Sequence, residues 1–205
     1  MNDDSAYELT LDDISDLRAY ENERDQFRSY IIGEKRKRRI HVGPFQSLVF
    51  ENRDTIRFQI QEMARAEKII TDEGIETELR MYNPLISRPG KLSATLFLEL
   101  TSDEQLREWL PKLVGIERSY MLQVGDVGKG PDEIMCQVDS DHDEALTRED
   151  VTASVHYVWW SVSQAQALRL RDESARLICV HPDYKEQIEL SETTRISLTD
   201  DLVNR

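Results

Sequence analysis

Two charged side chains stand where the surrounding pattern asks for apolar ones. Arg24 interrupts the stripe Leu17, Tyr20, Phe27, Ile31, and Glu67 interrupts the stripe Ile56, Ile60, Met63, Ile70. In both, the steps of three and four trace one face of a helix. A charge on a buried face is costly unless it is paired and hydrogen-bonded. If the two helices pack together, Arg24 and Glu67 are natural partners, and Glu62 and Arg65, a turn away, extend the network. In the alternative, Arg24 snorkels to water and Glu67 lies at the rim of the core. A real network would either tie the helices together or line a polar pocket. A second polar cluster, Asn52-Arg53-Asp54, sits at a strand-to-helix junction. A helix N-terminus with an adjacent arginine can bind an anion; the simpler reading is capping by Asn52 or Asp54. Arg24, Asn52, Arg53, Glu62 and Glu67 are therefore the candidate ligand-binding residues.

Other chemistry is weaker. The chain contains no GxSxG, HExxH, P-loop or GxGxxG pattern. His41, His142, His156 and His181 are scattered, with no pair at i,i+4. His156 and His181 lie in or beside strands, where they could converge with carboxylates on a metal or serve as ordinary core histidines. Asp139-Ser-Asp-His-Asp143 begins like a calcium loop. Such a loop needs Gly at its sixth position and Glu at its twelfth, where this chain has Glu144 and Asp150. A solvated acidic loop is the simpler reading. Gly125-Asp-Val-Gly-Lys-Gly130 has the wrong spacing for a phosphate loop and reads as a turn. The basic run Lys35–Arg39 falls at a helix end, where cations favour the negative end of the dipole and local acidic partners can absorb it.

These residues need elements to hold them. Thr10 resembles a helix cap, followed by a helix reaching about Lys35. Ile40–Val42 and Ser47–Phe50 read as a hairpin around Gly43-Pro44. Asn52 caps a second helix running to about Ile70, and Asp72 a third, which Asn83-Pro84 ends. The pattern then turns to strands at Leu92–Leu100, Tyr120–Val124, Ile134–Val138, Val155–Val162 and Leu177–Val180. Helices are expected at Asp103–Leu113, Ser163–Arg171 and Ser191–Val203. Helices first and strands later, without βαβ alternation, predict an α+β fold: one core, a mostly antiparallel sheet packed against the N-terminal helices, and a single domain over residues 1–205.

Composition sets the outer limits. Apolar residues make up 39% and charged residues 32%, which suits a folded, water-soluble chain. No apolar run is long enough for a membrane span. The acidic start Met1-Asn-Asp-Asp carries no secretory pattern, and the expectation is a cytoplasmic protein. The net charge of −14 repels nucleic acid and anionic lipid and favours cationic partners. Cys136 and Cys179 lie in apolar runs without CxxC spacing and read as buried reduced thiols.

Several blocks, in order, carry a resemblance. Arg38-Arg-Ile-His-Val-Gly-Pro44, Phe50-Glu-Asn-Arg-Asp-Thr-Ile-Arg-Phe-Gln-Ile-Gln-Glu-Met63, Tyr82-Asn-Pro-Leu85, Leu92-Ser-Ala-Thr-Leu-Phe-Leu-Glu99, Val180-His-Pro-Asp-Tyr184 and Thr194-Arg-Ile-Ser-Leu-Thr-Asp-Asp-Leu202 together resemble the uncharacterised bacterial domain-of-unknown-function family 3501. The resemblance spans nearly the whole chain. It implies no established activity. It does imply a role beside redox metabolism, because family members are encoded near an iron–sulfur oxidoreductase and a rubrerythrin-like protein. This chain has no cysteine set for a cluster of its own, so no cofactor is expected.

Three functions remain open at this point. One is a non-catalytic accessory or binding protein with a protein partner in redox metabolism. Another is an enzyme with an unrecognised polar site on the N-terminal helices, and the third is a metal- or cofactor-binding protein. Neither nucleic acid nor membrane is an expected partner.

Overall fold

The computed structural model describes residues 6–126, 128, 130–138 and 151–203. The candidate calcium loop, His142 included, lies outside them.

The first long helix begins later than its Thr10 signal predicts. Thr10 opens only a 3-10 turn, Leu11–Asp13, in which the Asp13 carboxylate folds back on the Thr10 N–H at 2.8 Å. Helix α1 is Leu17–Arg38, capped by Asp16, which accepts from Ala19 N–H. Strands β1 (Arg39–Val42) and β2 (Gln46–Phe50) follow as the predicted hairpin. Its turn contains Gly43 at φ 70, with the Tyr184 hydroxyl packed where a Cβ would stand. Helix α2 (Arg53–Glu67) is capped by Asn52 as predicted. It stops short of Ile70: Lys68 takes the left-handed conformation, φ 57, and Ile69 N–H closes onto Ala64 O. Thr71, not Asp72, caps α3 (Asp72–Tyr82).

The rest of the chain supplies β3 (Gly90–Leu98), α4 (Asp103–Lys112), β4 (Tyr120–Val124), β5 (Asp132–Met135), β6 (Gln137–Val138), β7 (Val155–Val162), α5 (Gln164–Asp172), β8 (Ala175–His181), β9 (Tyr184–Glu189) and α6 (Glu192–Val203). The fold is α+β with antiparallel pairing throughout the described ladders. There are two sheets where one was expected, ordered β1-β2-β3-β7-β6 and β5-β4-β8-β9. The β5–β6 run joins them, pairing first with β4 and then, past Cys136, with β7. On the far side β1 lies against β9, where Tyr184 Oη donates to Val42 O at 2.7 Å. Strand β9 has no signature in the sequence, because all but its first residue are exposed and mostly polar.

The two sheets enclose the larger core, with Leu48, Phe50, Leu92, Leu96, Leu122 and Trp160 on their inner faces. Leu113 of the segment after α4 and Ala167, Leu170, Leu198 and Leu202 of α5 and α6 complete it. Phe45 packs on Trp109 and Tyr184 at ring separations of 4.7 and 4.9 Å. The N-terminal helices do not share this core. A second apolar cluster, including Ile56, Ile60, Leu79, Tyr82 and Ile86, lies with them on the side of Tyr157. Buried Glu51 sits at the β2–α2 junction, its carboxylate accepting from Thr55 Oγ1 at 2.5 Å and Thr95 Oγ1 at 2.7 Å. Oxygen donors make that burial tolerable.

Candidate functional site

Helices α1 and α2 run antiparallel and meet through a ladder of polar and aromatic contacts. Tyr30 Oη donates to Asp54 at 2.7 Å, Phe27 meets Phe58 edge-on at 5.7 Å, and Arg65 pairs with Glu21. At its centre Arg24 forks onto Glu62, Nε at 2.7 Å and Nη2 at 2.9 Å, and Tyr20 Oη donates to the same carboxylate at 2.7 Å. The Arg24 hydrogen bonds hold the Glu62 carboxyl below its usual range, against the opposing effect of burial. Burial, followed by the Glu62 carboxylate, pushes the Tyr20 phenol up.

The expected Arg24–Glu67 pair does not form. The ladder sets Glu62 level with Arg24 and leaves Glu67 level with the first turn of α1, and Glu67 is exposed. Its charge is instead felt by Glu78 on α3, whose buried carboxyl is pushed up by desolvation first and by Glu67 second. Arg24 is not fully buried either; its side chain is 23% exposed and that of Glu62 27%.

Asn52 and Arg53 take separate duties. Asn52 Oδ1 accepts from Thr55 N–H, and Thr55 Oγ1 accepts from Asn52 N–H, both at 2.9 Å. Arg53 reaches Asp13 at 2.8 Å. Burial pushes the Asp13 carboxyl up, but Arg53 and Thr10 outweigh it and leave it lowered. Asn52, Arg53 and Asp54 line a cleft of about 410 Å³ with Ser87, Asp200 and Asp201. Arg24, Glu62 and Glu67 are not among its lining residues. The five candidate residues therefore do not share one pocket. Two border a cleft, two form a bridge between helices, and Glu67 stands apart.

A different site emerges where the ends of α1, α2 and α3 converge. A groove of about 350 Å³ is lined by Leu11, Ile14, Leu17, Ala64 and Ile75, with the charged residues Asp16, Arg18 and Asp72 beside them. Ile70 stands over it, 81% exposed. Sequence reading places Ile70 inward as the last member of the α2 stripe. The left-handed turn at Lys68 throws it out. That conformation favours Gly or Asn, so a lysine there gives no warning.

The remaining candidates are mostly absorbed by structure. In the basic run, Lys35 lies over the Phe58 ring at 5.7 Å, Lys37 pairs with Glu34 at 2.6 Å and Arg39 with Glu99 at 2.9 Å. Arg38 is buried and bidentate to Asp201 of α6, at 2.6 and 3.0 Å. The His181 Nε2 meets Val114 O at 3.1 Å, and the His156 Nε2 meets Thr152 Oγ1 and Ala153 O, each at 2.9 Å. Among the described residues no group of three or more His, Cys, Asp or Glu is placed to hold a metal. Cys136, on the β5–β6 run, and Cys179, on β8, are buried on either side of Tyr120. Burial pushes their thiols up to about 12 and about 11, so both are protonated and unreactive near neutral pH. No helix among the described residues is long and apolar enough to cross a membrane.

No curated protein matches the chain. A crystal structure described as a novel protein of unknown function from Burkholderia pseudomallei K96243 is similar to it at 33% sequence identity and a TM-score of 0.84. The match covers 95% of this chain and 98% of that one. The profile of the family described as "Protein of unknown function (DUF3501)" matches residues 8–202. Helix caps, hairpin and all but the last residue of the C-terminal helix fall inside that match, and the chain belongs to this family.

Proposed function

We propose that the protein is a non-catalytic accessory that binds a protein partner through the groove at the ends of α1, α2 and α3. The observation that carries this reading is Ile70, 81% exposed above an apolar floor. A large aliphatic side chain held in water beside an apolar groove is a feature of docking surfaces. The rim carries Asp16 and Asp72 against the single cation Arg18, and on a chain of net charge −14 it favours a segment that offers an apolar anchor flanked by lysine or arginine. The family's association with an iron–sulfur oxidoreductase and a rubrerythrin-like protein supports a partner from redox metabolism.

The test is a calorimetric titration of the purified chain with each of those two protein classes from the same organism. Binding to at least one is expected, and Ile70→Asp should weaken it about ten-fold or more. Ile70 is exposed, so the variant should fold normally. Absence of binding to both, or binding that Ile70→Asp leaves unchanged, would reject the reading. The cleft beside Asn52 and Arg53 favours a second reading, an enzyme or small-molecule binder, since about 410 Å³ is within the range of ligand pockets.

A further inference from the structure

We infer that the outer face of the second sheet is a contact surface for a second copy of this chain. Helices α1–α3 lie on the first sheet, and α4, α5 and α6 supply the remaining helical packing to the enclosed core. Among the described residues no element lies along the outer face of β5-β4-β8-β9. The pairing register places Met135, Met121, Ile178 and Gln187 in one row across that face. Met135, at the β5 edge of that row, and Val180, two residues past Ile178 on β8, are 43% and 44% exposed. Met135, Met121 and Ile178 make an apolar band on a sheet surface, with no element packed along it among the described residues.

Charge identifies the occupant. The outward-facing residues of these four strands include four that are charged: Glu133, Arg176, Lys185 and Glu189. The face is therefore neutral on a chain of net charge −14. Two such chains repel each other over most of their surfaces, and here they can approach without that penalty. The arrangement is also self-complementary. Glu189 stands in the row on one side of the apolar band, opposite Arg176, and Lys185 in the row on the other side, opposite Val180. A two-fold axis along the apolar row lays Glu189 of one copy over Lys185 of the other, and does so twice, as an isologous interface requires. Strands about 4.8 Å apart make the face roughly 19 Å wide. That is the small end of specific interfaces, so a reversible dimer in the micromolar range is expected.

Sedimentation equilibrium of the full chain, over roughly 1 to 200 µM, tests this. A monomer–dimer equilibrium is expected. Met135→Lys should weaken it about ten-fold or more, and Lys185→Glu should weaken it comparably by setting two carboxylates against each other. The double exchange Lys185→Glu with Glu189→Lys should restore most of the loss. Met135 and Lys185 are exposed, and circular dichroism of each variant confirms its fold. A monomer at every concentration overturns the inference. So does a dimer indifferent to Met135→Lys, or a loss in Lys185→Glu that the double exchange does not recover. Ile70→Asp should leave the dimer intact, which separates this surface from the groove.

Discussion

Glu62 illustrates how far residue types can be read and where register takes over. A charged pair between the first two long helices was legible, because Arg24 breaks an apolar stripe. The identity of its partner depended on how far one helix slides along the other, which no stripe encodes. The antiparallel ladder from Tyr30–Asp54 to Glu21–Arg65 sets that slide and brings Glu62 to Arg24. A double-mutant cycle on Arg24→Met and Glu62→Met, followed by urea denaturation, should give a coupling of about 1 kcal/mol. A bidentate charged hydrogen bond would give more, but both side chains are partly exposed and screened. Glu67→Met should change stability by less than about 0.5 kcal/mol, as at an ordinary exposed site. A coupling between Arg24 and Glu67 as large as that with Glu62 would contradict the observed register.

At the scale of elements, the basic end of α1 does work that a surface reading misses. Arg38 reads as one cation in a run of four others, yet its side chain is 3% exposed and its bidentate partner Asp201 13% exposed. The pair locks α1 to α6, across most of the chain. Asp201→Asn leaves the buried guanidinium with only Glu34, 3.9 Å away, as counter-charge among the described residues and should cost about 3 kcal/mol. Replacing both, Arg38→Met with Asp201→Leu, should cost much less, because neither charge then has to be desolvated. Chemical denaturation of the two variants checks the difference; equal losses would mean that the pair is not what holds α6. The sequence could mark α6 as a helix, but not its partner.

For the whole molecule, buried and paired carboxyls pull in opposite directions with pH. Burial raises Glu78, with a further push from Glu67. The folded state therefore holds this proton at pH values where the unfolded chain has released it. Its contribution to stability is full below the ordinary carboxylate range and is lost as pH rises through its folded value. Glu62 and Asp13 are lowered, so their contribution is present above that range and is lost as pH falls below it. Stability therefore declines below the ordinary carboxylate range, as Glu62 and Asp13 take up protons, and above it, as Glu78 loses its own. Glu78→Gln should flatten the alkaline side, raising Tm at pH 7.5, and should have little effect at pH 4. Scanning calorimetry from pH 4 to 8 measures both. A Tm that rises steadily to pH 8, unchanged by Glu78→Gln, would show that the raised Glu78 carboxyl does not matter.

By itself the sequence determined what is local. Asn52 caps a helix, Gly43-Pro44 turns a hairpin, and alternating apolar residues make Leu92–Leu98 and Val155–Val162 into strands. Those signals act over a few residues, through hydrogen bonds and side-chain direction that the chain neighbours themselves supply. It also carried the family, because many separate blocks keep their order. Tertiary structure decided everything that depends on distant partners. It divided the strands between two sheets, took the polar run Tyr184–Glu189 into one of them as an edge strand, and paired Arg24 with Glu62 and Arg38 with Asp201. It also turned Ile70 from an expected core position into an exposed one, because the left-handed turn at Lys68 ends the helix before the stripe does. A periodic pattern specifies which face of an element is apolar, but not which element will cover it or where that element stops.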